Sequence, residues 1–100
     1  MSWIKPDVLS RARGHVSRIR ARVTAVGMGS STLDRLESNL AGNFPVNPKT
    51  GWLIIPSEQV TGLQTAAAEL EVTLKLGNAL HLGDIDLPQL RYLLSEEVVG

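Results

Sequence analysis

The sequence predicts an α+β domain with a helical N-terminal half, a central β-hairpin and a small C-terminal helix/strand/helix part. Three observations predict it. Apolar residues recur at spacings of four and three from Ala12 through Val16, Ile19, Val23 and Val26, the period of an amphipathic helix. Asn47-Pro48-Lys49-Thr50-Gly51 gathers turn-forming residues between two β-prone runs. From Leu70 to Leu76 apolar and polar residues alternate, the period of a strand.

Trp3 to Pro6 reads as an entry segment, with Pro6 suited to a first helical turn. Val8 and Leu9 open the apolar seam that runs to Val26, as one helix or as two broken near Gly14. Gly27 to Ser30 end it, since glycine is the usual C-terminal punctuation. Ser31, with Asp34 three positions on, resembles a capping box, and Leu33, Leu36 and Leu40 carry a second helix to Gly42. Phe44-Pro45-Val46 and Trp52 to Ile55 flank the Asn47–Gly51 turn and predict the hairpin, which Pro45 and Pro56 keep short. Val60, Leu63, Ala67 and Leu70 fit a helix that ends near Ala68, with a strand from Glu69. Gly77-Asn78-Ala79 then turns the chain into Leu80-His81-Leu82, so that Leu74, Leu76, Leu80 and Leu82 share one apolar face. Asp86 caps a last helix that buries Leu87, Leu90, Leu93 or Leu94, and Val98.

The composition excludes several function classes. At 43% hydrophobic and 20% charged residues, the 100-residue chain is a folded domain rather than a disordered segment. Without cysteine it has neither disulfides nor thiolate metal sites, which suits a reducing, cytoplasmic setting. The first residues lack the apolar core of a signal peptide, and no apolar run is long enough to span a bilayer, so no membrane role is expected. His15 and His81 stand apart without clustered carboxylates and read as surface or edge residues. Asp84 and Asp86 lack a calcium-loop context, and Val26 to Asp34 lacks the lysine of a phosphate loop. No catalytic residue, metal site, cofactor or small-molecule substrate is expected.

The zero net charge conceals an asymmetry. Residues 1–26 hold six basic residues against Asp7 alone, a net of +5, and the remainder carries −5. A basic segment of this kind governs local encounter with polyanions despite the neutral total.

"TAVGMGSSTLDRLES", Thr24 to Ser38, places Val26, Gly27, Met28, Ser31-Thr32, Leu33, Arg35 and Leu36 in the order apolar, Gly, apolar, small polar cluster, aliphatic-x-Arg-aliphatic. Over about Ser17 to Ser38 this resembles the helix-turn-helix of bacterial and phage repressors, including the lac-repressor-like and Cro-like families. It departs from them at Arg22, usually apolar, and Val23, usually a small Ala. The resemblance implies a small DNA-binding transcriptional regulator, phage- or plasmid-like, that reads double-stranded DNA. Ser30, Ser31, Thr32 and Arg35 would lie nearest the bases. Arg18, Arg20, Arg22 and Lys49 would contact phosphates, Lys49 at the tip of a hairpin placed as in a winged helix. Residues 1–55 would then be the DNA-binding half of a single domain. Residues 56–100 would be the core and dimerisation half, since operators are commonly read by two-fold dimers.

An alternative starts from the same N-terminal helix. An aliphatic seam with arginines on both flanks also describes a partner-binding helix. The chain would then be a non-enzymatic homo-oligomeric structural or assembly protein, such as a small phage structural component. One continuous helix from Val8 to Val26 favours this reading; a break near Gly14 to Ser17 favours DNA.

Overall fold

A computed structural model describes all of residues 1–100. In chain order the elements are β1 (Ser2–Ile4), α1 (Pro6–Ala25), α2 (Ser31–Leu40), β2 (Leu53–Ile55), α3 (Ser57–Leu76), a 3-10 turn (Leu80–Gly83), α4 (Asp86–Glu96) and β3 (Val98–Val99). The class is α+β: four helices and one small antiparallel sheet of order β2-β1-β3. α1 and α3 leave the sheet and α4 returns to it, so the sheet closes one end of a body 45 × 20 × 19 Å. α1 packs on α2 and α4, and α3 packs on the same two helices from the other side. One core of 23 buried residues draws on both halves of the chain. No helix is long and apolar enough to cross a membrane.

α1 is a single helix of 20 residues, unbroken at Gly14. Pro6 sits at its start, where a missing N–H costs nothing. Val8, Leu9, Ala12, Val16, Ile19 and Val23 are all buried within the chain's own core. That corrects the expectation that this seam serves a partner: it is already covered. At the C-terminus Gly27 takes φ +75°. Its N–H donates to the Thr24 carbonyl (3.0 Å) and that of Met28 to the Val23 carbonyl (3.0 Å), a Schellman motif. Met28, packed against the core, completes the stop.

The cap of α2 falls one residue before the expected one. Ser30 is the N-cap, its Oγ accepting from the Leu33 N–H at 3.1 Å. Ser31 is the first helical residue and is exposed, whereas Thr32 is buried.

The expected hairpin is reduced. The Asn47–Gly51 turn forms, with Gly51 at φ +75° and its N–H donating to the Asn47 carbonyl (2.8 Å). The Phe44–Val46 arm makes only an isolated bridge, Val46 to Leu53. Pro45 has no N–H to offer a ladder, although its carbonyl accepts from Ile54. β2 instead pairs with the N-terminal segment read as a mere entry, Ser2 opposite Ile55 and Ile4 opposite Leu53. Ile4, Ile55, Leu53 and Val98 face the core; Trp3, Ile54 and Val99 share the outer face.

The strands expected at 69–76 and 80–82 are absent. α3 continues to Leu76, because Val60, Leu63, Ala67, Leu70 and Leu74 keep a helical period across the alternating stretch. Leu70 and Leu74 are buried while Val72 and Leu76 point to solvent. The four leucines therefore do not share a face: Leu74 and Leu82 are buried, Leu76 and Leu80 exposed. Gly77-Asn78-Ala79 does turn the chain, as a second Schellman motif with Asn78 at φ +53°. There the Asn78 N–H donates to the Lys75 carbonyl (3.2 Å) and that of Ala79 to the Leu74 carbonyl (2.7 Å).

Candidate functional site

The residues expected at DNA lie around α1 and the start of α2, and most arginines there face carboxylates of the same chain. Arg18 Nε donates to Asp86 Oδ1 at 2.9 Å. Arg22 Nη2 lies 2.6 Å from Asp86 Oδ2, held by charge rather than alignment, since that oxygen has no well-directed donor. Arg22 Nη1 also donates to the Leu82 carbonyl at 2.9 Å, tying α1 to the 3-10 turn. On the other flank Arg20 donates to Glu37 (2.5 Å) and to Asp34, joining α1 to α2. These carboxylates raise the Arg20 pKa, the Glu37 hydrogen bond being the largest contribution. Arg35 pairs with Glu69 of α3. Arg13, not among the expected site residues, donates to the carbonyls of Leu40 (2.6 Å), the last residue of α2, and Gly42 (3.0 Å) just beyond it.

Of the other expected residues, Ser30 is occupied as a cap and Thr32 is buried. Ser31 and Arg35 remain exposed on the first turns of α2. Lys49 is exposed in the 47–51 turn, and its N–H donates to Asn47 Oδ1 (2.9 Å). Within the chain it has no ion-pair partner.

The residue that organises this region is Asp86, which is not the expected cap. It is the first residue of α4, makes no capping hydrogen bond, and its side chain is only 3% exposed. His15 Nδ1 lies 2.8 Å from Asp86 Oδ1. The same nitrogen lies 3.0 Å from Arg18 Nη2, and it can donate to the carboxylate or accept from the guanidinium, not both. The carboxylate is the stronger partner, so the proton belongs on Nδ1. Burial pushes the Asp86 pKa up. The contacts from His15, Arg18 and Arg22 outweigh that and hold it below the ordinary carboxylate value. His15 is therefore a half-buried member of a cluster around the buried Asp86 carboxylate, not the free surface residue expected. One signal was present: Arg11, His15, Arg18 and Arg22 form a stripe along α1, and a cationic stripe beside an apolar seam calls for an acidic residue on the facing helix.

Chemically, this cluster locks helices together. A His–Asp pair can orient a general base, but no serine, threonine or lysine hydrogen-bonds to His15, and two guanidinium groups neutralise the carboxylate. No group of three or more His, Asp or Glu residues is placed to hold a metal ion. A shallow open groove of about 830 Å³ runs between α3, the 3-10 turn and α4, past Ala67, Leu80, Leu87 and Tyr92. Arg91 and Glu71 pair across it.

Comparison with protein-family models, with curated proteins and with solved structures finds no match to this chain.

Proposed function

We propose that this chain is a non-enzymatic assembly module that acts by associating with copies of itself. The observation that carries the reading is the apolar surface on the solvent side of α3. Leu76 is 81% exposed and Val72 56% exposed on a 20-residue helix whose other face fills the core. Val72 and Leu76 lie one helical turn apart and so adjoin on this face, and adjoining exposed aliphatic side chains are what a contact surface needs. Solution mass across a concentration series tests the proposal; a chain monomeric to millimolar concentration refutes it.

A second reading, recognition of double-stranded DNA through α2, is favoured by one observation. The Schellman turn at Gly27 leads directly into α2, whose first turns expose Ser31 and Arg35. The internal pairing of Arg18, Arg20 and Arg22 weighs against it, because phosphate contacts would have to replace existing ion pairs. Fluorescence anisotropy with duplex DNA over a salt series tests it, with Arg35→Ala and Lys49→Ala as variants that leave the Asp86 cluster intact. Binding that weakens log-linearly with salt supports it, and absence of binding at low salt ends it.

A further inference from the structure

The outer face of the sheet collects both tryptophans of the chain, Trp3 and Trp52. Side chains alternate along a strand, so Trp3 and Lys5 share that face with Trp52, Ile54 and Val99. One step beyond the Ile4–Leu53 pair, Lys5 stands opposite Trp52, and its Nζ lies 5.2 Å from the centre of the indole ring. That cation–π contact steadies the ring. Trp3 is its diagonal neighbour across the two strands. Both indoles are half-buried, held by the sheet rather than free in solvent. With Asn47, Thr50 and Val99 they line an open cleft of about 360 Å³, above the roughly 300 Å³ at which ligand-sized sites begin.

The polar groups of this cleft meet a ligand as donors. Asn47 Oδ1 already accepts from the Lys49 N–H (2.9 Å), and Thr50 Oγ1 from the Trp52 N–H (3.2 Å). That leaves the Asn47 amide hydrogens and the Thr50 hydroxyl hydrogen to give. Neither indole N–H is used within the chain. Lys5, over Trp52, and Lys49, in the turn that supplies Asn47 and Thr50, are exposed and carry no ion pair. Glu97 stands level with Lys5 on the β3 side, but it neither pairs with Lys5 nor lines the cleft. Flat aromatic walls, free donors and two unpaired cations suit a planar, acceptor-rich ring that carries negative charge. A neutral sugar or proline-rich peptide leaves the lysines idle, and a lipid surface calls for protruding rather than recessed indoles.

We propose that this cleft binds single-stranded nucleic acid, with a base stacked on the indoles and neighbouring phosphates at Lys5 and Lys49. A duplex keeps its bases stacked on one another and cannot offer one to the cleft. α1, about 30 Å long, separates this site from the first turn of α2. The proposal goes beyond the assembly reading and needs neither self-association nor a duplex contact at α2.

Both tryptophans lie at the cleft, so intrinsic fluorescence reports on it without background. The wild-type chain is titrated with an oligothymidylate of about twelve residues over a salt series. The expected result is quenching with Kd on the order of 10–100 µM at low salt and, with two phosphates neutralised, a log–log salt slope of about −1.4. Lys49→Ala removes an exposed side chain and keeps the backbone bond of the turn; it should halve that slope. Trp52→Leu, with its fold checked by circular dichroism, should weaken binding about tenfold, read by anisotropy of a labelled oligonucleotide. Arg35→Ala should bind as wild type does, and the duplex with oligoadenylate should bind about tenfold more weakly. Absence of quenching at low salt, equal binding of the duplex, or an unchanged slope in Lys49→Ala overturns the proposal. A response to equimolar phosphatidylserine–phosphatidylcholine vesicles, or to a peptide of repeating Pro-Pro-Glu, without one to oligothymidylate also overturns it and assigns the cleft to that partner.

Discussion

Replacing Asp86 by alanine removes the carboxylate on which three side chains of α1 converge. The magnitude follows from how deeply each partner is buried. Breaking a fully buried ion pair costs about 3–5 kcal/mol, and losing an exposed one about 0–1 kcal/mol. Here the carboxylate is buried, but the Arg18 and Arg22 side chains are 55% and 37% exposed, so both cations can turn to water once it is gone. The estimate falls between the two cases, at about 2–3 kcal/mol. For a domain of this size that lowers the thermal midpoint by roughly 10–20 °C. Urea unfolding followed by far-UV circular dichroism should show a lower midpoint with an unchanged m-value. Asp84→Ala, an exposed aspartate two residues earlier, should stay within about 0.5 kcal/mol of wild type. The pH dependence supplies an independent reading. The pKa of Asp86 is lowered in the folded state, so the unfolded chain binds its proton first as pH falls. The stabilisation is therefore complete above the unfolded value of about 3.9 and is lost as pH drops through the folded one. The gap between wild type and Asp86→Ala should narrow below about pH 4. A variant within 1 kcal/mol of wild type at pH 7, or a gap that does not narrow in acid, would refute the account of Asp86 as a paired, buried anion.

Three further outcomes are expected. Gly27→Ala should cost about 1–2 kcal/mol in urea unfolding: open space surrounds its Cβ position, so the whole penalty is the left-handed backbone at φ +75°, and Gly27→Asn should cost less. Arg20→Met should cost no more than about 1 kcal/mol despite three charges meeting there, because Asp34 and Glu37 are 69% and 43% exposed and can be hydrated instead; that small loss should shrink further in 1 M salt. Leu90→Ala, at a fully buried site on α4, should cost about 2–5 kcal/mol by equilibrium unfolding, several times the loss at Arg20.

Where local chemistry decides, the sequence was readable. The 4-3 spacing of α1, the stops at Gly27 and at Gly77-Asn78, and the Asn47–Gly51 turn are short-range signals that needed no tertiary context. Two kinds of feature were not readable. One is a stretch that fits two periods. Glu69 to Leu76 alternates like a strand, yet Leu70 and Leu74 are also one helical turn apart, and the buried row beginning at Val60 decides for the helix. The other is partner choice. Ser2 to Ile4 becomes a strand only because Leu53 to Ile55 lies beside it. The candidate site fell into this second class. Asp86 is an N-terminal residue of a helix, where an aspartate is ordinarily a cap, and only the approach of α1 from 71 positions earlier makes it an ion-pair hub.

That approach also explains the charge asymmetry of the chain. The apolar seam of α1 is built from Val8, Leu9, Ala12, Val16, Ile19 and Val23, and a slip of one helical turn along α2 and α4 already sets polar residues against the core. The arginines do not tolerate it either. Arg18 and Arg22 are one turn apart, so a slip could leave one of them on Asp86. The same slip would carry Arg20, on the opposite flank, away from Asp34 and Glu37 and bring Val16 or Thr24 in its place. With acceptors on both sides, the observed register pairs Arg18, Arg20 and Arg22 together. On this argument the basic N-terminal segment and the acidic remainder are complementary parts of one folding code. The ion pairs contribute more to choosing the arrangement of helices than to its total stability. A variant with Asp86→Leu, Arg18→Leu and Arg22→Met separates the two contributions. It should retain most of the stability lost in Asp86→Ala, because no charge is stranded. It should also show broadened amide resonances along α1 as alternative registers become accessible. Sharp, singly resolved resonances in that variant would mean that side-chain shape alone sets the register.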